Sequence, residues 1–234
     1  MTVFCGDLLG PSLISTYREG EQMILPFNEC RVDVAMIGNH DLDFGVFQLG
    51  DMLKQTTKKV QHHGATLSKG KIVGTKWVCS NLLNEDDDHV ICNQKPYLVV
   101  EKCGRKIGFI GMIERQWVDT FKDIEVDLKY VNYKRTAQKY AEILRNEHQC
   151  DLVIALAHMR WHHDVKLAEQ VPGVDMVLGG HDHFYRVQTV QKEGNPEQTV
   201  TVIKSGQDFQ DFSVVKIRFD SDPLEKKSSL LVPG

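Results

Sequence analysis

Aspartate, asparagine and histidine, the side chains that ligate divalent cations and move protons, gather in four short segments of this 234-residue sequence. They are Gly6-Asp7, Gly38-Asn39-His40-Asp41, His158, and Gly179-Gly180-His181-Asp182-His183. Carboxylate and amide oxygens together with neutral imidazole nitrogens, and no thiolate among them, suit a hard-to-borderline divalent cation. The glycines beside these residues let a chain turn sharply and leave room for a bound phosphate.

Each segment starts where an apolar run stops, over residues 3–5, 34–37, 152–157 and 174–178. In open α/β sheets, ligands bind in the crevice beyond the carboxyl ends of the strands. Parallel neighbours would therefore bring the four polar tips together. Along the whole chain, short β-branched apolar runs alternate with longer amphipathic stretches, which predicts an α/β layered architecture. The pattern places strands over 2–5, 33–37, 77–80, 97–102, 106–112, 152–157, 176–178, 199–204 and 212–219. Helices are expected over 19–29, 46–60, 134–147 and 165–169. Cys103-Gly104-Arg105 and Glu193-Gly194-Asn195-Pro196 read as tight turns. The acidic run Glu85-Asp86-Asp87-Asp88 lacks the spaced oxygens of a calcium loop and reads as solvated surface. Residues 1–220 are expected to form one domain and 221–234 a polar tail that frays.

A hydrophobic share of 41% with 26% charged residues is that of a globular chain able to bury a sizeable core. The formal net charge of −4 gives no electrostatic reason to expect a nucleic acid partner. Apolar runs fall short of the roughly 20 residues that span a bilayer, so a membrane partner is not expected. Six cysteines are spread without zinc-ribbon or disulfide-framework spacing, and several sit inside apolar runs. A cytoplasmic, reducing location follows as the expectation.

Other polar residues admit plainer readings. His162-His163 reads as a solvent-facing helix start rather than a ligand pair, with Asp164 placed favourably for the helix dipole. His62-His63 lies away from any strand end and reads as loop. Arg160, beside His158, is suited equally to a phosphate contact through its planar fork or to a structural ion pair. Asp182 could orient a metal-bound imidazole. Trp77, Trp117 and Trp161 read as packing residues.

The order Gly-Asp, Gly-Asn-His-Asp, His, Gly-His-Asp-His resembles the calcineurin-like metallophosphoesterase superfamily, in particular the catalytic domain of its 5′-nucleotidase branch. The residues that carry the resemblance also include Gly10-Pro11-Ser12, Leu42-Asp43-Phe44-Gly45, Ser80-Asn81-Leu82 and Ala157-His158-Met159-Arg160, and it runs over nearly the whole chain. It implies a metallophosphoesterase-type layered sandwich of mixed β-sheets flanked by helices. It implies two divalent ions (Zn, Mn, Fe or Mg) bridged by Asp7, one completed by Asn39, His158 and His181 and the other bound by His183. It makes His40, oriented by Asp43, the catalytic pair facing the phosphate. The substrate expected is a small phosphate ester, with a nucleotide as one candidate. Gly206, Gln207 and Asp208 resemble a family loop near the site.

The family pattern also opens with an Asp-x-His motif well upstream of Gly-Asp. Gly6-Asp7 stands too near the amino terminus for that motif to precede it, so the resemblance implies a domain shortened there, which leaves Asp7 and His183 alone on the second ion and one ion held tightly. The rival expectation is a catalytically weakened remnant that binds metal or phosphate as a regulatory module.

Overall fold

The computed structural model describes residues 1–57, 74–119, 121 and 126–219. In chain order these form β1 (Val3–Cys5), α1 (Leu13–Arg18), α2 (Ile24–Glu29), β2 (Val34–Met36), α3 (Gly45–Thr57), β3 (Lys76–Trp77), β4 (Leu82–Asn84), β5 (Leu98–Lys102), β6 (Arg105–Ile113), α4 (Arg115–Val118), β7 (Leu128–Tyr130), α5 (Tyr133–Asn146), β8 (Leu152–His158), α6 (Trp161–Gln170), β9 (Met176–Gly179), β10 (Tyr185–Lys192) and β11 (Asn195–Ser205). The expected His62-His63 loop, residues 58–60 of the helix expected over 46–60, and the tail lie outside the described residues.

Strands β1, β2 and β3 pair in parallel as one sheet. A six-stranded mixed sheet runs β10-β11-β9-β8-β6-β5, its central members parallel and its two outer pairs antiparallel hairpins. A small antiparallel pair joins β4 to β7. The central strand β8 shows why the layers stack as they do. Its Leu152, Ile154 and Leu156 face one apolar cluster with Val34, Met36, Leu49 and Phe109, while Val153, Ala155 and Ala157 face another with Ala137, Ala141, Leu144 and Leu167. A strand alternates its side chains between faces, so a run apolar on both must be covered on both. The smaller sheet covers one face, through β1 and β2 on β8, and α5 and α6 cover the other.

Several expectations need correction. Residues 212–219 form no strand; their apolar residues are largely exposed, Phe212 at 82% and Val214 at 74%, because no described strand lies beside them to complete a ladder. The outer partner of β11 is instead β10, whose half-polar sequence conceals a strand with one solvated face. The helix expected over 19–29 is broken at Gly20, where φ is +87° and an added Cβ would stand 2.7 Å from that of Leu9. Helix α1 therefore precedes the break and α2 follows a 3₁₀ turn. Helix α6 starts at Trp161, four residues before the expected 165, and β3 ends at Trp77, with Val78 bridging to Lys95. Strands β4 and β7 and helix α4 are too short to carry a periodic signal.

Candidate metal centre

The carboxyl ends of β1, β2, β8 and β9 converge, and the backbone there is glycine because nothing larger fits. At Gly38 an added Cβ would lie 2.2 Å from Asp7 Oδ1 and 2.6 Å from His158 Cε1. At Gly6, where φ is +90°, it would lie 2.6 Å from His158 Nδ1. Asp7 and His181 themselves hold positive φ, 62° and 71°. Such conformations are uncommon for residues with a Cβ and persist where the surrounding structure over-determines them.

The side chains of Asp7, His158 and His181 each offer a ligand atom within 4.8 Å of the others. His158 is 1% exposed, and its Nδ1 lies 2.6 Å from the carbonyl oxygen of Cys5. A carbonyl only accepts, so Nδ1 carries the proton and the neutral ring presents its lone pair at Nε2. That nitrogen stands 3.0 Å from Asp7 Oδ2 yet makes no hydrogen bond. Asp7 Oδ1 accepts the His40 backbone N–H at 2.9 Å. Burial pushes the Asp7 carboxyl up, but the charge of His158 and the His40 N–H outweigh it and hold it below the usual carboxylate range. Burial likewise works against charging His158, and Asp7 outweighs it, so His158 titrates above an ordinary imidazole. His181 is lowered by burial and by His158. A buried carboxylate facing the lone pair of a buried imidazole, with no proton between them, is a donor pair that a divalent cation would join.

Around this group, the remaining sequence candidates fall into place. Asn39 Oδ1 lies 3.1 Å from His181 Nδ1, which brings Asn39 to the same site. His40 Nδ1 lies 2.8 Å from Asp43 Oδ2, the expected pair. His183 is exposed and outside the three-residue donor group. Arg160 Nε stands 3.4 Å from Glu114 Oε1 with its side chain 46% exposed, so the structural ion pair is present. His163 donates from Nδ1 to Glu114 at 2.8 Å, which ties it to α4's cap rather than to the donor group. Asp182 Oδ2 accepts the Trp161 N–H at 2.6 Å and orients no imidazole. Asp164 stands in the first turn of α6, as expected, and is fully buried, where Lys204 meets it from β11. In the Gly206–Asp208 loop, the Gly206 N–H donates to the carbonyl of Phe184, the residue after His183.

Three residues of the site escape a reading of strand ends. Asp41 is buried and collects four backbone N–H groups, from Asp7, Leu8, Leu9 and Gly38, at 2.7–3.0 Å. It thereby fixes the loop that carries Asp7; burial, then the charge of Asp7, push it up to about 6. Glu114, 1% exposed, accepts from the Arg160 N–H at 2.9 Å and from His163. Trp117 packs, as expected, but directly on the centre, 5.6 Å edge-on to His158 and 6.4 Å stacked on His181. Only Asp41 left a sequence signal, its place in Gly-Asn-His-Asp.

The family described as calcineurin-like phosphoesterase matches residues 1–185. The trifunctional nucleotide phosphoesterase protein YfkN of Bacillus subtilis is 24% identical over 97% of this chain and 16% of its own length. The snake venom 5′-nucleotidase of Naja atra is 26% identical over 77% of this chain and 31% of its own. This chain thus spans less than a third of either relative. Among solved structures, the NAD nucleotidase of Haemophilus influenzae superposes with a TM-score of 0.72 at 18% identity over 88% of this chain and 40% of that one. Crystalline YfkN superposes with a TM-score of 0.64 at 20% identity over 87% of this chain and 66% of that one. At these identities the structures share the fold.

Proposed function

The chain belongs to the calcineurin-like phosphoesterase family, and on that premise we propose that it is a metal-dependent hydrolase of phosphate esters of the 5′-nucleotidase type. The single observation that carries this reading is the buried His158 Nε2, unhydrogen-bonded, with its tautomer fixed by Cys5 and with Asp7 and His181 beside it. An apolar pocket would not retain an orphaned imidazole nitrogen, whereas a cation site requires one.

Asp7, His158 and His181 are the residues that would hold a divalent cation, with Asn39 as the fourth ligand. A second ion would draw on Asp7 and on the exposed His183. Zn, Mn, Fe and Mg all suit this oxygen and nitrogen set. Such ions supply Lewis acidity and an acidified water able to attack phosphorus.

The chain's own residues do the rest. Asp43 accepts from His40 Nδ1, which leaves His40 Nε2 turned from its partner and, in the imidazolium form, able to donate to a phosphoryl oxygen as charge builds there. Arg160, held at Nε by Glu114, keeps the outer edge of its guanidinium for phosphate. Trp117 against both imidazoles keeps water from their apolar sides.

A nucleotide substrate, and with it a part in nucleotide breakdown, is supported by the names of the relatives in Bacillus and Naja. We read residues 1–220 as the catalytic domain. We assign a cytoplasmic location on the cysteines alone, all six of which stand as free thiols. No helix among the described residues is long and apolar enough to cross a membrane.

The test is metal content by elemental analysis together with hydrolysis of an aryl phosphate and of adenosine 5′-monophosphate. The purified chain should carry metal and hydrolyse at least the aryl ester, a chelator should stop it, and Asp7→Ala should lose most of the metal. Unchanged metal content in Asp7→Ala would overturn the assignment.

A further inference from the structure

Lys204, at the carboxyl end of β11, is 0% exposed, and its ammonium lies between the segment that follows His158 and the one that leads into His181. It donates to the carbonyl of Met159 at 2.7 Å and to the carbonyl of Gly180. Met159 directly follows His158, and Gly180 directly precedes His181. Asp164 Oδ2 stands 2.9 Å away and Asp182 Oδ2 3.0 Å away. Four oxygens from four separate points thus surround a cation with three protons, a geometry that a compact ammonium on a flexible stem can serve.

The ladder between β8 and β9 ends at the bond from the Gly180 N–H to Ala157 O, 2.8 Å. Beyond it β8 and β9 no longer pair with each other, yet the donor atoms of His158 and His181 must stay within 4.8 Å of each other. The backbone passes tightly over the ion cluster, since a Cβ at Gly179 would lie 2.6 Å from Asp164 Oδ2 and 3.2 Å from Lys204 Cε. A lone buried ammonium so near a cation site would oppose the ion; two carboxylates offset it.

We propose that Lys204 is a positioning residue of the metal centre: its ammonium ties the loop after β8 to the loop after β9 and so sets the spacing of His158 and His181, while Asp164 and Asp182 neutralise it. This rests on the metal-binding reading of the site. A residue that merely balanced the buried charge of Asp164 would be dispensable once that charge was removed, and one that spaces the ligands would not.

The experiment titrates Co²⁺ into the chain, following its visible absorption, with circular dichroism on the same samples. Wild type, Lys204→Met and the double variant Asp164→Asn/Lys204→Met are compared. The expected result is folded protein in which Lys204→Met binds Co²⁺ about 10–100-fold more weakly, as loss of a ligand-orienting partner does, with an altered absorption band. The double variant should recover melting temperature but not Co²⁺ affinity. If Lys204→Met does not fold, the double variant carries the comparison. Wild-type affinity in either variant would overturn the positioning role. Absence of Co²⁺ binding by the wild type would instead sink the metal reading, and this inference with it.

Discussion

His40 touches the site twice, by two different groups, and the two can be separated. Its backbone N–H holds Asp7 Oδ1 at 2.9 Å, and its ring pairs with Asp43 at 2.8 Å. His40→Ala keeps the first contact and deletes the second. It should retain metal while kcat falls by about 10²–10³-fold, the loss typical of a donor to developing charge. Metal content and kcat measured on one preparation check this; metal lost along with activity would make His40 a ligand. A second residue-scale effect lies far from the chemistry. Burial lowers Lys192 from 10.5 to about 8, and its ammonium donates to the Val171 carbonyl. Between those values the unfolded chain binds more protons at this residue than the folded one, so its contribution makes stability rise with pH there. Wild type should therefore gain on Lys192→Met between about pH 8 and 10.5, by on the order of 2 kcal/mol. Urea melts at both ends of that window measure it, and parallel curves for the two proteins would rule the effect out.

At the scale of elements, the site is a property of strand tips packed as closely as backbone allows. Gly38→Ala places a methyl 2.2 Å from Asp7 Oδ1, between β2 and the loop after β1. It should cost about 1–3 kcal/mol in stability, as overpacking does. Metal affinity should fall at least tenfold, because Asp7 is the atom displaced. A variant with wild-type melting temperature and metal affinity would mean that the loop yields freely. This packing also explains what could be read in the sequence. Strands β1, β2, β8 and β9 announce themselves as apolar runs, and their polar ends follow from the rule that ligands gather there, so Asp7, Asn39, His158 and His181 were accessible one by one. Strand β10 was not, since its exposed face dilutes the alternation, and the alternation over 212–219 misleads because pattern alone does not supply a neighbouring strand. Asp164 reads as a first-turn helix residue, which it is, but its ion pair with Lys204 of β11, 40 residues away, is not legible there. Partners that distant belong to the packing of layers, and no local spacing encodes them.

For the whole molecule, two sheets facing across one apolar cluster, with α5 and α6 behind the larger, hold four strand ends in a common crevice. A ligand that binds only this folded arrangement stabilises all of it. A cation at about 100 times its Kd should add about 2.7 kcal/mol, which raises the melting temperature by about 5–10 °C for a chain of this size. A chelator should remove that increment, and melting curves with and without it provide the check. The most direct measurement is the position of a bound Mn²⁺ or Zn²⁺ ion, located by anomalous scattering from crystals of the chain. The ion is predicted to sit in coordinating contact with Asp7, His158 and His181 together. An ion bound elsewhere, with those three side chains left as they are here, would contradict the account.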